Sequence, residues 1–238
     1  MPQGRQVQAM FAGIAGKYDL LNHLLSLGSD FYWWRAMARA AGAGPGRSFL
    51  DVAAGTGDSS LALARRGARV VSTDFTQAML ALGPAKFRRR GLERLVWASV
   101  GADAQRLPFQ SASFDGVTIC YGIRNVEDRL RAYREFLRVL KPGGQLTILE
   151  FSRPRRVWLR RLYDFYSLRL LPRIGGWISG DRRAYTYLPE SIRAFPDQPA
   201  LAAELAAAGF QEPAWTDLTG GIVALHTARK AAGDIMGA

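Results

Sequence analysis

The stretch Leu50-Asp51-Val52-Ala53-Ala54-Gly55-Thr56-Gly57-Asp58 runs an apolar strand straight into a turn of small residues. No other part of the chain constrains the fold as tightly. Residues 48–52 read as a buried strand, with Phe49, Leu50 and Val52 apolar and Asp51 near its end. Glycine permits a sharp turn and lets the backbone approach a ligand closely. Open α/β sheets bind ligands at such strand ends.

Beyond this turn the chain keeps alternating. Residues 59–66 read as a helix closed by Gly67, and 69–74 as a second strand ending on Asp74. Residues 76–90 read as one helix with a basic end, Lys86, Arg88, Arg89 and Arg90, suited to the negative pole of the helix dipole. Strands are expected at 95–100, 114–120 and 145–151. A helix is expected over 127–140, and a turn at Lys141-Pro142-Gly143-Gly144. This order predicts a parallel sheet covered by helices on both faces. Residues 10–42 are helical in character, with apolar residues at three- and four-residue spacing. Residues 153–196 break the pattern and are rich in Arg, Trp, Tyr and Leu. A helix over 198–208, stopped by Gly209, and strands at 215–218 and 222–227 complete the chain. Thr219-Gly220-Gly221 between those strands is a hairpin signal. The expected units are an N-terminal helical cap (1–47), a Rossmann-like core (48–152), a helical lid (153–196), a C-terminal helix and hairpin (197–230) and a tail (231–238).

Composition narrows the function. Apolar residues at 48% and charged residues at 22% exclude a disordered chain. A lone cysteine, Cys120, excludes an internal disulfide and a multi-cysteine zinc site, and His23 and His226 form no close ligand pair, so no metal is expected. No apolar run reaches the roughly 18–20 residues of a membrane span, and the N-terminus lacks the apolar core of a secretory signal. A cytoplasmic protein is the expectation. Lys and Arg total 32 against 20 Asp and Glu, and the net charge of +12 draws such a surface toward polyanions.

The first turn holds Gly55-x-Gly57, but Ser60 stands where a dinucleotide fingerprint has its third glycine. Asp51 ends the strand before the turn, where a carboxylate repels a pyrophosphate and suits a cation. Asp74 ends the second strand, the position that meets a ribose diol. Asp103, with Ala104, follows the third strand and can accept from an exocyclic amine. A nucleoside with a cationic tail and no phosphate answers this pattern, which makes S-adenosylmethionine the expected cofactor. The plainer alternative is a bare strand–helix turn with surface acids.

From Val7 to Arg229 the chain resembles the C-methyltransferases of menaquinone and ubiquinone biosynthesis. Tyr18-Asp19-Leu20-Leu21-Asn22, with Leu25-Ser26, Gly28 and Trp33, is similar to the family's N-terminal signature. Asp30 stands where members often carry histidine. Arg138-Val139-Leu140-Lys141-Pro142-Gly143-Gly144, then Leu146, Leu149-Glu150 and Ser152, matches the second signature, and Gly122-Ile123-Arg124-Asn125-Val126 and Pro196-Asp197-Gln198 are also similar. The resemblance implies a class I S-adenosylmethionine-dependent methyltransferase, a seven-stranded α/β sheet whose last strand is antiparallel. It implies cofactor contacts at Thr56, Asp74, Asp103, Ala104 and, where some members have serine, Cys120. It implies a polyprenylated quinol as substrate, with naphthoquinol favoured over benzoquinol.

Methylating a ring carbon needs a phenolate, and a free phenol has a pKa near 10, so a fixed cation is wanted. Arg124, after the fourth strand, is the first choice, with Asn125 orienting the same groups. Tyr18 and Asn22 are expected to cover the substrate, and Asp19 is a weaker base. Glu150 is expected to support the site. His23 and His226 fit core packing or a general base. A polyprenyl substrate stays in the bilayer. The residues of 153–180, among them Arg155, Arg156, Trp158, Arg160, Arg161 and Phe165, mix cations with aromatics as an anionic membrane surface requires. The enzyme is therefore expected at the inner face of the membrane, and a homodimer is compatible with the sequence. A nucleic-acid methyltransferase is disfavoured, because Cys120-Tyr121-Gly122-Ile123-Arg124-Asn125 lacks the paired prolines of amino-methylating loops.

Overall fold

The structure is a computed structural model. It describes residues 12, 13, 16, 19, 20, 22–24, 26–166, 169 and 183–233. Tyr18 and most of the stretch 167–182 lie outside the described residues. The elements are α1 (Ser29–Ala40), β1 (Ser48–Val52), α2 (Asp58–Ala64), β2 (Arg69–Asp74), α3 (Gln77–Leu80), α4 (Gly83–Arg89), β3 (Val96–Gly101) and β4 (Phe114–Cys120). They continue with α5 (Arg129–Val139), β5 (Leu140–Phe151), α6 (Val157–Phe165), α7 (Arg183–Ala194), α8 (Gln198–Ala207), β6 (Gln211–Leu218) and β7 (Val223–Arg229).

The seven strands form one sheet in the order β3-β2-β1-β4-β5-β7-β6. The first five pair in parallel, and β7 runs antiparallel to β5 and β6. Strand order reverses between β1 and β4, which makes their carboxyl ends the switch point where such sheets hold ligands. Phe49, Leu50, Val117, Ile119, Leu146 and Ile148 are almost wholly buried, because helices cover both faces. Trp33, Met37, Leu61 and Leu63 pack with one side, and Tyr133, Phe136, Leu201 and Leu205 with the other. The Asp128 and Asp197 carboxylates cap α5 and α8, accepting from Arg131 N at 2.9 Å and Ala200 N at 3.0 Å.

Two expectations are corrected and a third is refined. The single helix over 76–90 is two, α3 and α4, because Gly83-Pro84 opens a new helix there. The helical character of 10–42 breaks at Leu27 (φ 52°) and Gly28 (φ 75°), an elbow before α1. The turn at Lys141–Gly144 exists as a loop-out within β5, since Leu140 pairs with Phe114 and Gln145 already pairs with Gly116. The second signature is mostly structural. Arg138 binds the carbonyl oxygens of Leu107 (2.9 Å) and Phe109 (2.6 Å) and pairs with Glu135 at 2.8 Å, tying the loop after β3 to α5.

Candidate active site

At the tip of β1 the chain leaves the sheet through Ala53 (φ 52°) and turns at Gly55 (φ 57°) and Gly57 (φ 92°) into α2. A side chain at Gly57 would place its Cβ 2.5 Å from the Phe87 ring, so both the conformation and the space demand glycine. The loop after β4 passes close by: a Cβ on Gly122 would lie 2.4 Å from that of Ala53. The two loops of the switch point therefore approach each other through small residues, Ala53 and Gly122.

The carboxylates differ in what they hold. Asp51 is fully buried and accepts from Ser59 Oγ (2.5 Å), Ser60 Oγ (2.6 Å) and Thr118 Oγ1 (2.7 Å). Burial pushes its pKa up to about 6 against the pull of those hydroxyls. The expectation of a direct contact to a cation is corrected here. With no surface exposed, Asp51 ties β1 to α2 and β4 beneath the turn, and any effect on a ligand is through the field. Asp74 spans the tips of β1 and β2, accepting from Gly55 N at 2.8 Å and Thr76 N at 2.7 Å. Each of its oxygens takes one backbone N–H, which leaves lone pairs for a diol. Burial raises its pKa. Asp103, partly exposed after β3, accepts from Gln105 N at 2.9 Å, next to Ala104. Thr56 sits in the turn, its hydroxyl donating to Asp19 Oδ1 at 2.5 Å. Cys120, at the tip of β4, is buried, and desolvation pushes its thiol well above the ordinary range, so it packs and does not act as a nucleophile. Of these groups, Asp74 and Asp103 are the carboxylates that reach the strand tips with acceptor capacity to spare.

The other half of the site follows β4. Tyr121 (φ 55°) leads into a short 3₁₀ turn, Ile123–Asn125. Arg124 is buried there, where the sequence reading expected a fixed cation facing the substrate. Its Nη1 donates to Glu150 Oε1 at 2.7 Å and to the Tyr121 carbonyl at 2.5 Å, its Nε reaches Ser191 Oγ at 3.4 Å, and its guanidinium lies over the Phe151 ring. Its charge is balanced by Glu150, which is 1% exposed and whose pKa burial raises. Among the described residues these bonds run through Nη1 and Nε.

Asn125 accepts from Tyr187 Oη at 2.7 Å. Tyr163, on α6, is pushed up to about 12 by burial, and Tyr187 moves the same way. Both remain O–H donors at neutral pH. Trp33 supports this half from α1, donating to Thr219 Oγ1 at 2.8 Å and meeting Tyr121 and Phe151 edge-on.

Glu150 pairs with Arg124 beside the turn after β4. Asn22 does not join the site: its side chain is exposed. Asp19 is held by Thr56 and by Lys86 at 2.6 Å. His23 is bonded through Nδ1 to Asp30. His226 is buried in β7, where Nε2 donates to the Gln198 carbonyl at 3.2 Å, and desolvation lowers its pKa. The sequence reading missed Tyr163, Tyr187, Ser191 and Lys86. Spacing gave no sign of them, since they reach the site from other elements.

Residues 2–230 match the ubiE/COQ5 methyltransferase family. The chain belongs to that family. A relative from Mycolicibacterium paratuberculosis, named demethylmenaquinone methyltransferase, is 47% identical over 226 residues, 95% of this chain and 94% of that protein. The crystal structure of the cyclase SpnF is similar in fold, with a TM-score of 0.73 at 22% identity over 98% of each chain. That of a SAM-dependent methyltransferase from Aquifex aeolicus has a TM-score of 0.60 at 17% identity, over 81% of this chain and 87% of the other. This methyltransferase thus carries two halves at one switch point: an acceptor-rich turn on β1–β3 and an arginine turn on β4.

Proposed function

We propose that the enzyme transfers a methyl group from S-adenosylmethionine to a ring carbon of demethylmenaquinol, a polyprenylated naphthoquinol. The observation that carries this reading is the 47% identity, across nearly the whole of both chains, to a protein named for that reaction. The site chemistry supports it. Gly55, Thr56 and Gly57 would take the amino-acid end of the cofactor, Asp74 its ribose diol, and Asp103 with Ala104 its adenine. When bound, S-adenosylmethionine supplies an electrophilic methyl group.

The remaining work falls to the protein. Arg124, held rigid by Glu150, the Tyr121 carbonyl and Ser191, presents Nη2 to the quinol oxygen and stabilises the phenolate as its proton leaves to water. Asn125, fixed by Tyr187, sets the edge of the ring. The aromatic group of Tyr121, Phe151 and Trp33 excludes water beside it.

The N-terminal residues 1–47 and the stretch 153–196 form the cover in this reading, and α6 meets the lipid. Among the described residues no helix is long and apolar enough to cross a membrane. Yet Trp158, Leu162 and Phe165 recur along α6 at 63%, 59% and 54% exposure, beside Arg155, Arg156, Arg160 and Arg161. An amphipathic basic helix of this kind lies in an anionic interface. The inner membrane face is then where enzyme and quinol meet.

Methyl transfer to short-chain demethylmenaquinol and to the benzoquinol analogue tests the proposal. Turnover with the naphthoquinol is expected, lost by about tenfold or more in Arg124→Lys, which keeps the buried charge but not the planar fork. Alanine is a poor probe here, because an unpaired buried Glu150 costs about 3–5 kcal/mol of stability. Turnover confined to the benzoquinol, or full activity in Arg124→Lys, would contradict the assignment.

A further inference from the structure

Lys86 has no task in the methyl-transfer mechanism, and the sequence presents it as one of several cations ending a helix. In the structure its ammonium lies 2.6 Å from Asp19 Oδ2, 2.9 Å from Asp58 Oδ1 and 3.0 Å from Thr56 Oγ1. An ammonium has three N–H donors, and three acceptors meet it here. The side chain is only 13% exposed. The network joins four pieces of chain: α4 through Lys86, the glycine turn through Thr56, the first turn of α2 through Asp58, and the N-terminal helical segment through Asp19.

Asp19 alone among these belongs to a piece outside the sheet and its helices. One helical turn on, His23 bonds to Asp30 and stacks on Phe31 with ring centroids 4.7 Å apart. Beyond it lies the elbow at Leu27 and Gly28, both left-handed. Asp19 and His23 thus fasten the described residues before the elbow at two points, and the Asp19 fastening sits on the turn assigned to the cofactor. Thr56 links the two directly, since its hydroxyl accepts from Lys86 and donates to Asp19.

We propose that Lys86 is a positioning residue: with Thr56 it latches the N-terminal segment across the glycine turn through Asp19, and so sets the rate at which the cofactor exchanges. The assignment rests on the proposed binding of S-adenosylmethionine at that turn. Releasing Asp19 leaves Lys86 still bound to Asp58 and Thr56, so opening disturbs the turn little. A partly exposed ion pair is also weak enough to open within a catalytic cycle.

The test compares the full-length wild type with Asp19→Asn, Lys86→Met and the double variant. Stopped-flow displacement is expected to show S-adenosylhomocysteine leaving about tenfold faster from each single variant. The double variant should be no faster than Lys86→Met alone, because that variant already removes the Lys86–Asp19 contact that Asp19→Asn weakens. In the cofactor-free protein, hydrogen exchange should rise in the peptide carrying Asp19 and His23, with β1 and β4 peptides unchanged, which a general loss of stability would not produce. Wild-type off-rates and wild-type exchange in the single variants would overturn the proposal, as would independent, multiplying effects in the double. If Lys86→Met fails to fold, Asp19→Asn decides alone by the same two readouts. A folded wild type that binds no S-adenosylhomocysteine would overturn the cofactor reading instead, while exchange at Asp19 still decides the latch.

Discussion

Asp51 shows how far a residue's type can be read without its surroundings. Its place at a strand tip was legible, and so was the nearby turn, because small residues after an apolar run have few other uses. Its buried setting was not legible: Ser59, Ser60 and Thr118 face it only once α2 and β4 pack against β1. That setting has a measurable consequence. The folded pKa of about 6 lies above the ordinary carboxylate value near 3.9, so between those values the folded state binds more protons than the unfolded one. Stability from this group is therefore present at low pH and lost as pH rises toward 6, by roughly 3 kcal/mol over the window. Asp51→Asn carries no such proton. Urea unfolding at pH 4.5 and 7.5 is expected to show the variant gaining on the wild type as pH rises. A difference that stays constant with pH would refute the buried, titrating carboxylate.

At the level of elements, the central strands were legible because each carries a short apolar run, such as Phe49-Leu50 or Val70-Val71, bounded by turn residues. The break between α3 and α4 was not read, although Gly83-Pro84 is the pair that starts the second helix there. Arg124 needed the fold. Its neighbour Glu150 comes from β5, and only strand pairing brings the two tips together. The aromatic and basic character of α6 was plain in sequence, and the structure adds that its Trp158, Leu162 and Phe165 are open to solvent. Flotation with phosphatidylglycerol vesicles is expected to capture the protein. Each cation near an anionic surface contributes about 1 kcal/mol, so Arg160→Gln with Arg161→Gln should weaken partitioning by about thirtyfold, and added salt should do the same. Equal partitioning of wild type and variant would remove α6 from the interface.

For the whole molecule, sheet order and chemistry carry separate weight. A fold shared with the cyclase SpnF at a TM-score of 0.73 leaves the reaction open, because one scaffold hosts many chemistries. What ties this chain to methyl transfer is the family match, together with acceptors at the tips of β2 and β3 and an arginine turn after β4. A net charge of +12 gains a purpose if the substrate lies in an anionic membrane. The methyl-transfer role of the arginine turn, the quinol assignment and the latch's control of cofactor exchange all depend on the strand tips receiving S-adenosylmethionine, and titration calorimetry measures that step without any substrate. The folded wild type is expected to bind one equivalent, and Asp74→Ala, with its unfolding midpoint first checked, to bind at least about tenfold more weakly through loss of the diol contact. A folded wild type that takes up no cofactor, or an Asp74→Ala variant that binds as tightly as wild type, would overturn this assignment of the strand tips.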